Sequence, residues 1–241
     1  MPRDLARSPR VTVVSDAAHL AGPVARWIAL ETTAAVRERG ACALGLSGGR
    51  TPEPVYRELA SAPGIDWSRV SVFFGDERAV PPEDRESNYR MVHEALLTRV
   101  PIPDSNVHRM EAERPDREAA AREYERSLPP ALDVLLLGVG ADGHTVSLFP
   151  GSPALDERRR LVLPVIGTKA PIERLTITPP VIEAARRVAV AAAGADKAAA
   201  VARALEGSAS AKEVPAGLAR RGVWFLDRAA AARLTAQGVE A

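Results

Sequence analysis

The first group to weigh as a catalyst is a histidine held among glycines. His144 lies in Gly138-Val139-Gly140-Ala141-Asp142-Gly143-His144-Thr145-Val146-Ser147-Leu148-Phe149-Pro150-Gly151, at the end of the near-continuous apolar run 132–138. An imidazole titrates near ~6.5 when unperturbed, so it can take and return a proton at neutral pH. His19, His93 and His108 have no such setting. The start of the same segment also matches Gly-x-Gly-x-x-Gly, the dinucleotide fingerprint. That fingerprint must open a crossover helix. Here Pro150-Gly151 interrupts six residues after His144, so no nicotinamide site is expected.

A second loop, Leu46-Ser47-Gly48-Gly49-Arg50-Thr51-Pro52, is built to meet an anion. Two glycines let the backbone bend and come close to a ligand. Thr51 reads as a helix N-cap and Pro52 as the first helical residue, so free N–H groups and the helix dipole favour negative charge. Ser47, Gly48, Gly49 and Thr51 are therefore candidate anion-binding residues. A turn that merely needs glycine would look the same, and the Gly-Lys-Ser/Thr ending of a Walker A loop is missing. Gly45-Leu46-Ser47-Gly48-Gly49 also spells a Gly-x-Ser-x-Gly nucleophile elbow, with Asp76 and His144 following in α/β-hydrolase order. Against that reading, the chain is short for the fold, and Arg50-Thr51-Pro52 halts the backbone where an elbow runs straight into its helix.

A third loop, Phe73-Phe74-Gly75-Asp76-Glu77-Arg78-Ala79-Val80-Pro81-Pro82, follows a hydrophobic strand. It either puts Asp76 in a cleft with Arg78 gripping a phosphate or carboxylate, or is a solvated acidic turn. Ser87-Asn88-Tyr89 reads as a helix cap. In Gly194-Ala195-Asp196-Lys197 a lysine sits in a first helical turn, against the dipole. A bound anion would explain it; an exposed side chain is the plainer reading. Lys169, Lys197 and Lys212 are the only lysines among 32 basic residues.

The elements that must position these loops alternate along the chain. Strands are expected at 11–14, 42–46, 70–74, 132–138, 161–165, 175–178, 188–193 and 223–226. Helices are expected from Asp16 to near Gly40 and at 52–61, 87–97, 116–127, 195–205 and 228–235. Such alternation predicts an α/β sandwich with a mostly parallel sheet, whose sites lie at the carboxyl ends of strands. No fixed-period repeat or linker breaks the 241 residues, so one domain over 1–241 is expected.

Composition narrows the class. Apolar residues make up 46% and charged residues 26%, as in a globular rather than a disordered chain. A net charge of +1 offers no footprint for nucleic acid or an anionic membrane. The single cysteine, Cys42, excludes an intrachain disulfide and a cysteine-rich metal site. No apolar run approaches the ~20 residues of a membrane span, and the first ten residues lack the apolar stretch of a signal peptide. A soluble cytoplasmic protein is expected, as a monomer or small homo-oligomer.

Taken together, the loops resemble the lactonase branch of the glucosamine-6-phosphate isomerase/6-phosphogluconolactonase family. The matching segments are LSGGRTP from Leu46, FFGDERAVPP from Phe73 with Ser87-Asn88, GVGADGHTVSLFPG from Gly138, KAPIERLTIT from Lys169, GADKA from Gly194, and Trp224-Phe225-Leu226-Asp227. The resemblance implies a single-domain, modified Rossmann-like α/β sandwich with a mostly parallel central sheet flanked by helices. It implies hydrolysis of 6-phospho-D-glucono-1,5-lactone to 6-phosphogluconate, in the oxidative pentose phosphate pathway, with no cofactor and no metal. The small-molecule sugar-phosphate lactone is the only partner it implies. By the same resemblance His144 is the base that activates water, and Asp76 matches a proton-transfer aspartate of the deaminase branch. Ser47, Gly48, Gly49 and Thr51 fall in the sugar-phosphate loop, and Arg78 and Lys197 match cations that bind substrate. Lys169 and Arg174 lie in a matching segment. The deaminase branch continues after its histidine with an Asn-Glu-Pro-type segment; Ser147-Leu148-Phe149-Pro150-Gly151 stands here instead, which favours the lactonase. A sugar-phosphate sensor of related fold would carry a DNA-binding helix-turn-helix, for which the ten residues before the first strand leave no room.

Overall fold

A computed structural model describes residues 10–235. Its strands are β1 (Arg10–Val14), β2 (Cys42–Leu46), β3 (Val70–Phe74), β4 (Asp76–Arg78), β5 (Val107–His108), β6 (Val134–Gly138), β7 (Val162–Ile166), β8 (Glu173–Ile177), β9 (Arg187–Ala192) and β10 (Val223–Asp227). Its helices are α1 (Ala21–Arg39), α2 (Pro52–Ala60), α3 (Asn88–Ala95), α4 (Arg117–Ser127), α5 (Pro179–Ala184), α6 (Ala198–Leu205) and α7 (Arg228–Ala231).

Seven strands form an all-parallel sheet in the order β1-β10-β9-β6-β2-β3-β5. Its middle strand, β6, explains why the sheet is a core. Val134, Leu135, Leu136 and Leu137 are all fully buried. Successive strand residues face opposite ways, so both faces of the sheet are covered by helices and loops, as a run of apolar residues requires. From β2 the chain winds outward through β3 to β5. It then returns to the other side of β2 as β6 and winds outward through β9 to β10, which pairs with β1, the first strand in sequence, at the far edge. The winding direction reverses between β2 and β6. In parallel sheets the crevice at that reversal, outside the carboxyl ends of the strands, is where ligands bind. The loop after β2 contains Ser47, and the loop after β6 contains His144.

The expected fold class is what the chain adopts, with corrections in detail. The stretches near 161–165 and 175–178 are strands, but they belong to a second, antiparallel sheet of order β4-β8-β7. Periodicity reveals a strand, not its partner. The acidic stretch expected as a loop contains β4, whose Asp-Glu-Arg has poor strand propensity. It is extended because Asp76, Glu77 and Arg78 pair with Thr176, Leu175 and Arg174. Three expected helices are shorter or broken. Asp16 caps a 3-10 turn, Ala17–His19, before α1 begins. A second 3-10 turn, Ala195–Lys197, precedes α6. α7 stops at Ala231 rather than reaching residue 235. As expected, Gly40 ends α1 in the left-handed conformation at φ 78°, its N–H donating to the Val36 carbonyl. No helix among the described residues is long and apolar enough to cross a membrane.

Candidate active site

The His144 loop closes on itself. The Gly140 N–H donates to the His144 carbonyl (2.8 Å) and the Gly143 N–H to the Gly140 carbonyl (2.9 Å). Thr145 Oγ1 donates to the Gly138 carbonyl at 2.9 Å. Val146 then sits at φ 46°, the one non-glycine residue with positive φ among the described residues. A β-branched residue there is strained, by about 1–3 kcal/mol. Its neighbour Ser147 holds it, taking a 3.2 Å bond from its N–H to Thr176 Oγ1 and donating from Oγ to Asp76 Oδ2 at 2.6 Å.

This loop delivers an oriented imidazole. His144 Nδ1 lies 2.6 Å from Asp142 Oδ1, and Asp142 also accepts the His144 backbone N–H at 3.1 Å. An ionised carboxylate only accepts, so Nδ1 carries the proton and Nε2 keeps its lone pair. The bond from His144 is the chief reason the Asp142 carboxyl is held down at about 2. The ring leans on Phe149, with centroids 4.9 Å apart. Gly140 makes the pair possible, because a Cβ there would lie 2.0 Å from His144 Nδ1 and 2.5 Å from Asp142 Oδ1.

His144 opens on a cavity of about 500 Å³. Ser47, Gly48, Gly49, Thr51, Asp76, Arg78 and Lys197 line the same cavity, so every candidate residue is brought together. Thr51 precedes α2, but its side chain makes no capping bond, which corrects that expectation. Its αR backbone (φ −72°, ψ −44°) departs from the extended conformation typical of a capping residue. Ser47 Oγ donates to the Leu136 carbonyl at 2.8 Å. Its backbone has no positive φ, and residues 47–51 separate β2 from α2. A nucleophile elbow needs a strained serine on a direct strand-to-helix turn, so the hydrolase-triad alternative has no support in this geometry.

The acidic stretch is not solvated. Asp76 and Glu77 are 5% and 3% exposed. Glu77 accepts the N–H groups of Asn88 (2.8 Å) and Tyr89 (2.7 Å) and the hydroxyl of Ser87 (3.1 Å). It therefore satisfies the first turn of α3, and burial pushes its carboxyl up. Asp76 faces the cavity and accepts Asn88 Nδ2 at 3.1 Å. Gly48 lets Asn88 in, since a Cβ there would come within 1.7 Å of Asn88 Oδ1.

Cations complete the wall. Arg78 donates from Nη1 to the Glu86 carbonyl at 2.5 Å, and its buried Nε has no partner. An unmade buried bond costs about 1–3 kcal/mol, which a ligand oxygen would offset. Arg174 is 7% exposed, and burial lowers its pKa. It donates to the carbonyls of Pro171 (3.0 Å) and Lys169 (3.1 Å) and lies 4.0 Å from Asp76. Lys169 thus contributes its backbone, whereas Arg174 lines the cavity. Asp227 accepts the Gly194 N–H at 3.1 Å and caps α7 through the Ala230 N–H at 2.7 Å. It thereby fixes the turn that carries Lys197.

Residue-by-residue reasoning missed Asp142, Arg50, Asn88 and Asp227. Asp142 had a signal, two residues before His144 in a tight turn. In the sequence Asn88 reads only as part of a helix cap and Asp227 only as the last residue of a matching segment; in the fold Asp227 caps α7. Among the described residues no three His, Cys, Asp or Glu side chains cluster as a metal-ligand set.

Comparison with known proteins agrees with the loops. The sequence profile described as glucosamine-6-phosphate isomerases/6-phosphogluconolactonase matches residues 15–225. The 6-phosphogluconolactonase of Rattus norvegicus is 40% identical over 93% of this chain and 93% of its own. That of Synechocystis is 38% identical over 94% of this chain and 99% of its own. The 6-phosphogluconolactonase structure from Trypanosoma brucei superposes with a TM-score of 0.82 at 30% identity, covering 95% of this chain and 99% of that one.

Proposed function

The chain belongs to the glucosamine-6-phosphate isomerase/6-phosphogluconolactonase family, and from that premise we propose that it hydrolyses 6-phospho-D-glucono-1,5-lactone to 6-phosphogluconate as one domain over 1–241. The observation that carries this reading is an Asp142-oriented imidazole in the same cavity as Lys197, Arg78 and the glycine loop of Ser47, Gly48, Gly49 and Thr51.

The phosphate docks on that loop and the two cations, which leaves the lactone carbonyl at His144. Neutral His144 takes a proton through Nε2 from a water as its oxygen bonds to C1. The tetrahedral intermediate collapses, the bond from C1 to the ring oxygen breaks, and the imidazolium returns its proton to that oxygen. The acid so formed ionises in solution. Asp142 holds the tautomer and stabilises the imidazolium, which is the role of a buried or partly buried orienting carboxylate in hydrolytic sites. Asp76 is our second candidate catalytic group. Its oxygens already accept Ser147 and Asn88, yet a carboxylate has about four acceptor sites, enough to take a substrate hydroxyl as well. No step requires a metal or organic cofactor.

Phe149 favours the lactonase over the deaminase chemistry known elsewhere in the family. The deaminase branch draws a glutamate from the segment after its histidine, and here that segment puts the hydrocarbon ring of Phe149 against the imidazole. The test is acid release from freshly generated 6-phosphogluconolactone, with spontaneous opening subtracted. The reading predicts release well above background, no ammonia from glucosamine-6-phosphate and no labelling of Ser47 by a fluorophosphonate. Release at the background rate would overturn it.

Lys197 supplies charge rather than chemistry. A hydrogen bond to a charged group contributes about 1.5–3 kcal/mol, so Lys197→Ala is expected to raise KM roughly tenfold to a hundredfold, with a smaller change in kcat. Steady-state kinetics read both.

A further inference from the structure

Lys197 already holds an anion. Asp196 Oδ2 lies 3.0 Å from Lys197 Nζ. The carboxylate is turned back over Gly194, where a Cβ would come within 2.8 Å of Asp196 Oδ1. Gly194 is at φ 101°, so glycine serves both the turn and the space for this carboxylate. Asp196 and Lys197 both line the cavity, as does Arg50 from the loop after β2. Lys197 first, and Arg50 to a lesser degree, hold the Asp196 carboxyl below its ordinary value.

We propose that Asp196 is an affinity-setting residue whose carboxylate stands in for the substrate's phosphate on Lys197 and must be displaced when the sugar phosphate binds. This rests on the reading of Lys197 as the phosphate anchor.

Exposure makes the exchange physically cheap. The Asp196 side chain is 63% exposed and that of Lys197 is 22% exposed, so the carboxylate can swing into water while the ammonium stays in the cavity wall. Exposed ion pairs are weak, because water screens them and holding two mobile side chains together costs entropy. A phosphate monoester carries about −1.5 to −2 charges and three acceptor oxygens, and therefore outcompetes one carboxylate. A neutral lactone has no group to displace it. The contact keeps the anchor neutralised until a dianion arrives, and it weakens phosphate binding by the strength of the pair plus the repulsion left behind.

Titration of inorganic phosphate into wild type, Asp196→Asn and Asp196→Glu tests this without using turnover. The Asn variant should bind phosphate two- to fivefold more tightly, in line with the strength of such pairs, and Glu should remain close to wild type. In turnover, Asp196→Asn should raise the ratio of kcat/KM for the phosphorylated lactone over that for unphosphorylated glucono-1,5-lactone. Equal or weaker phosphate binding by Asp196→Asn, or a Glu variant that behaves like Asn, would overturn the proposal. If wild type bound phosphate but opened no lactone, the reading of the reaction would fall while the titration still decided the role of Asp196.

Discussion

His144→Ala is expected to lower kcat by about 10²–10⁴-fold, the usual contribution of a positioned general base. KM should change little, because the phosphate anchors lie on other loops: Ser47, Gly48, Gly49 and Thr51 after β2, Lys197 after β9. Stability should hold as well, since the imidazole is about one-third exposed and caps nothing. A parallel collapse of kcat and phosphate affinity would mean that the ring is a structural prop. Steady-state kinetics beside a phosphate titration separate the two cases.

The second large effect comes from a methyl group. Gly140→Ala puts a carbon 2.0 Å from His144 Nδ1 and 2.5 Å from Asp142 Oδ1, distances no native contact tolerates. The loop backbone is tied by the Gly140 N–H to the His144 carbonyl. The side chains are therefore what must give, and the imidazole must leave Asp142. Misplacing a catalytic group by about 1 Å can cost 10²-fold, so kcat is expected to fall by about that much or more. Overpacking of this kind costs about 1–3 kcal/mol, which lowers Tm by about 2–12 °C in a chain of this size. A folded protein with poor turnover is the expected result. A variant with wild-type kcat would show that the Asp142 contact is dispensable.

The legibility of the site in the sequence follows from where its information is stored. Residues 134–138 are apolar because β6 is buried on both faces, and that composition survives in the linear chain. The glycine loops are legible because close approach and positive φ demand glycine, as at Gly49 (φ 106°) and Gly194 (φ 101°). Asp76 was legible as a candidate, but its strand was not. β4 exists only because β8 pairs with it, and Asp-Glu-Arg carries no strand signal of its own. Arg174 and Asn88 reach the cavity through sheet pairing and helix placement, which spacing along the chain does not encode. Thr51 illustrates the opposite error. Its residue type suits a cap, but its αR backbone (φ −72°, ψ −44°) is not the extended conformation that capping prefers.

The central claim is that one neutral imidazole removes the proton from water, and the pH dependence of kcat, which reports groups in the substrate complex, tests it most directly. Asp142 is held at about 2, below the ordinary carboxylate range. Its native-state stabilisation is present above that ordinary range and is lost only as pH falls towards about 2, so it stays ionised throughout a workable assay. Asp142 therefore adds no acid limb of its own in the assay range. The account predicts that kcat, after subtraction of spontaneous opening, falls tenfold per pH unit along a one-proton acid limb, and that the residual activity of His144→Ala lacks this limb. A flat wild-type profile, or the same limb surviving in His144→Ala, would contradict it.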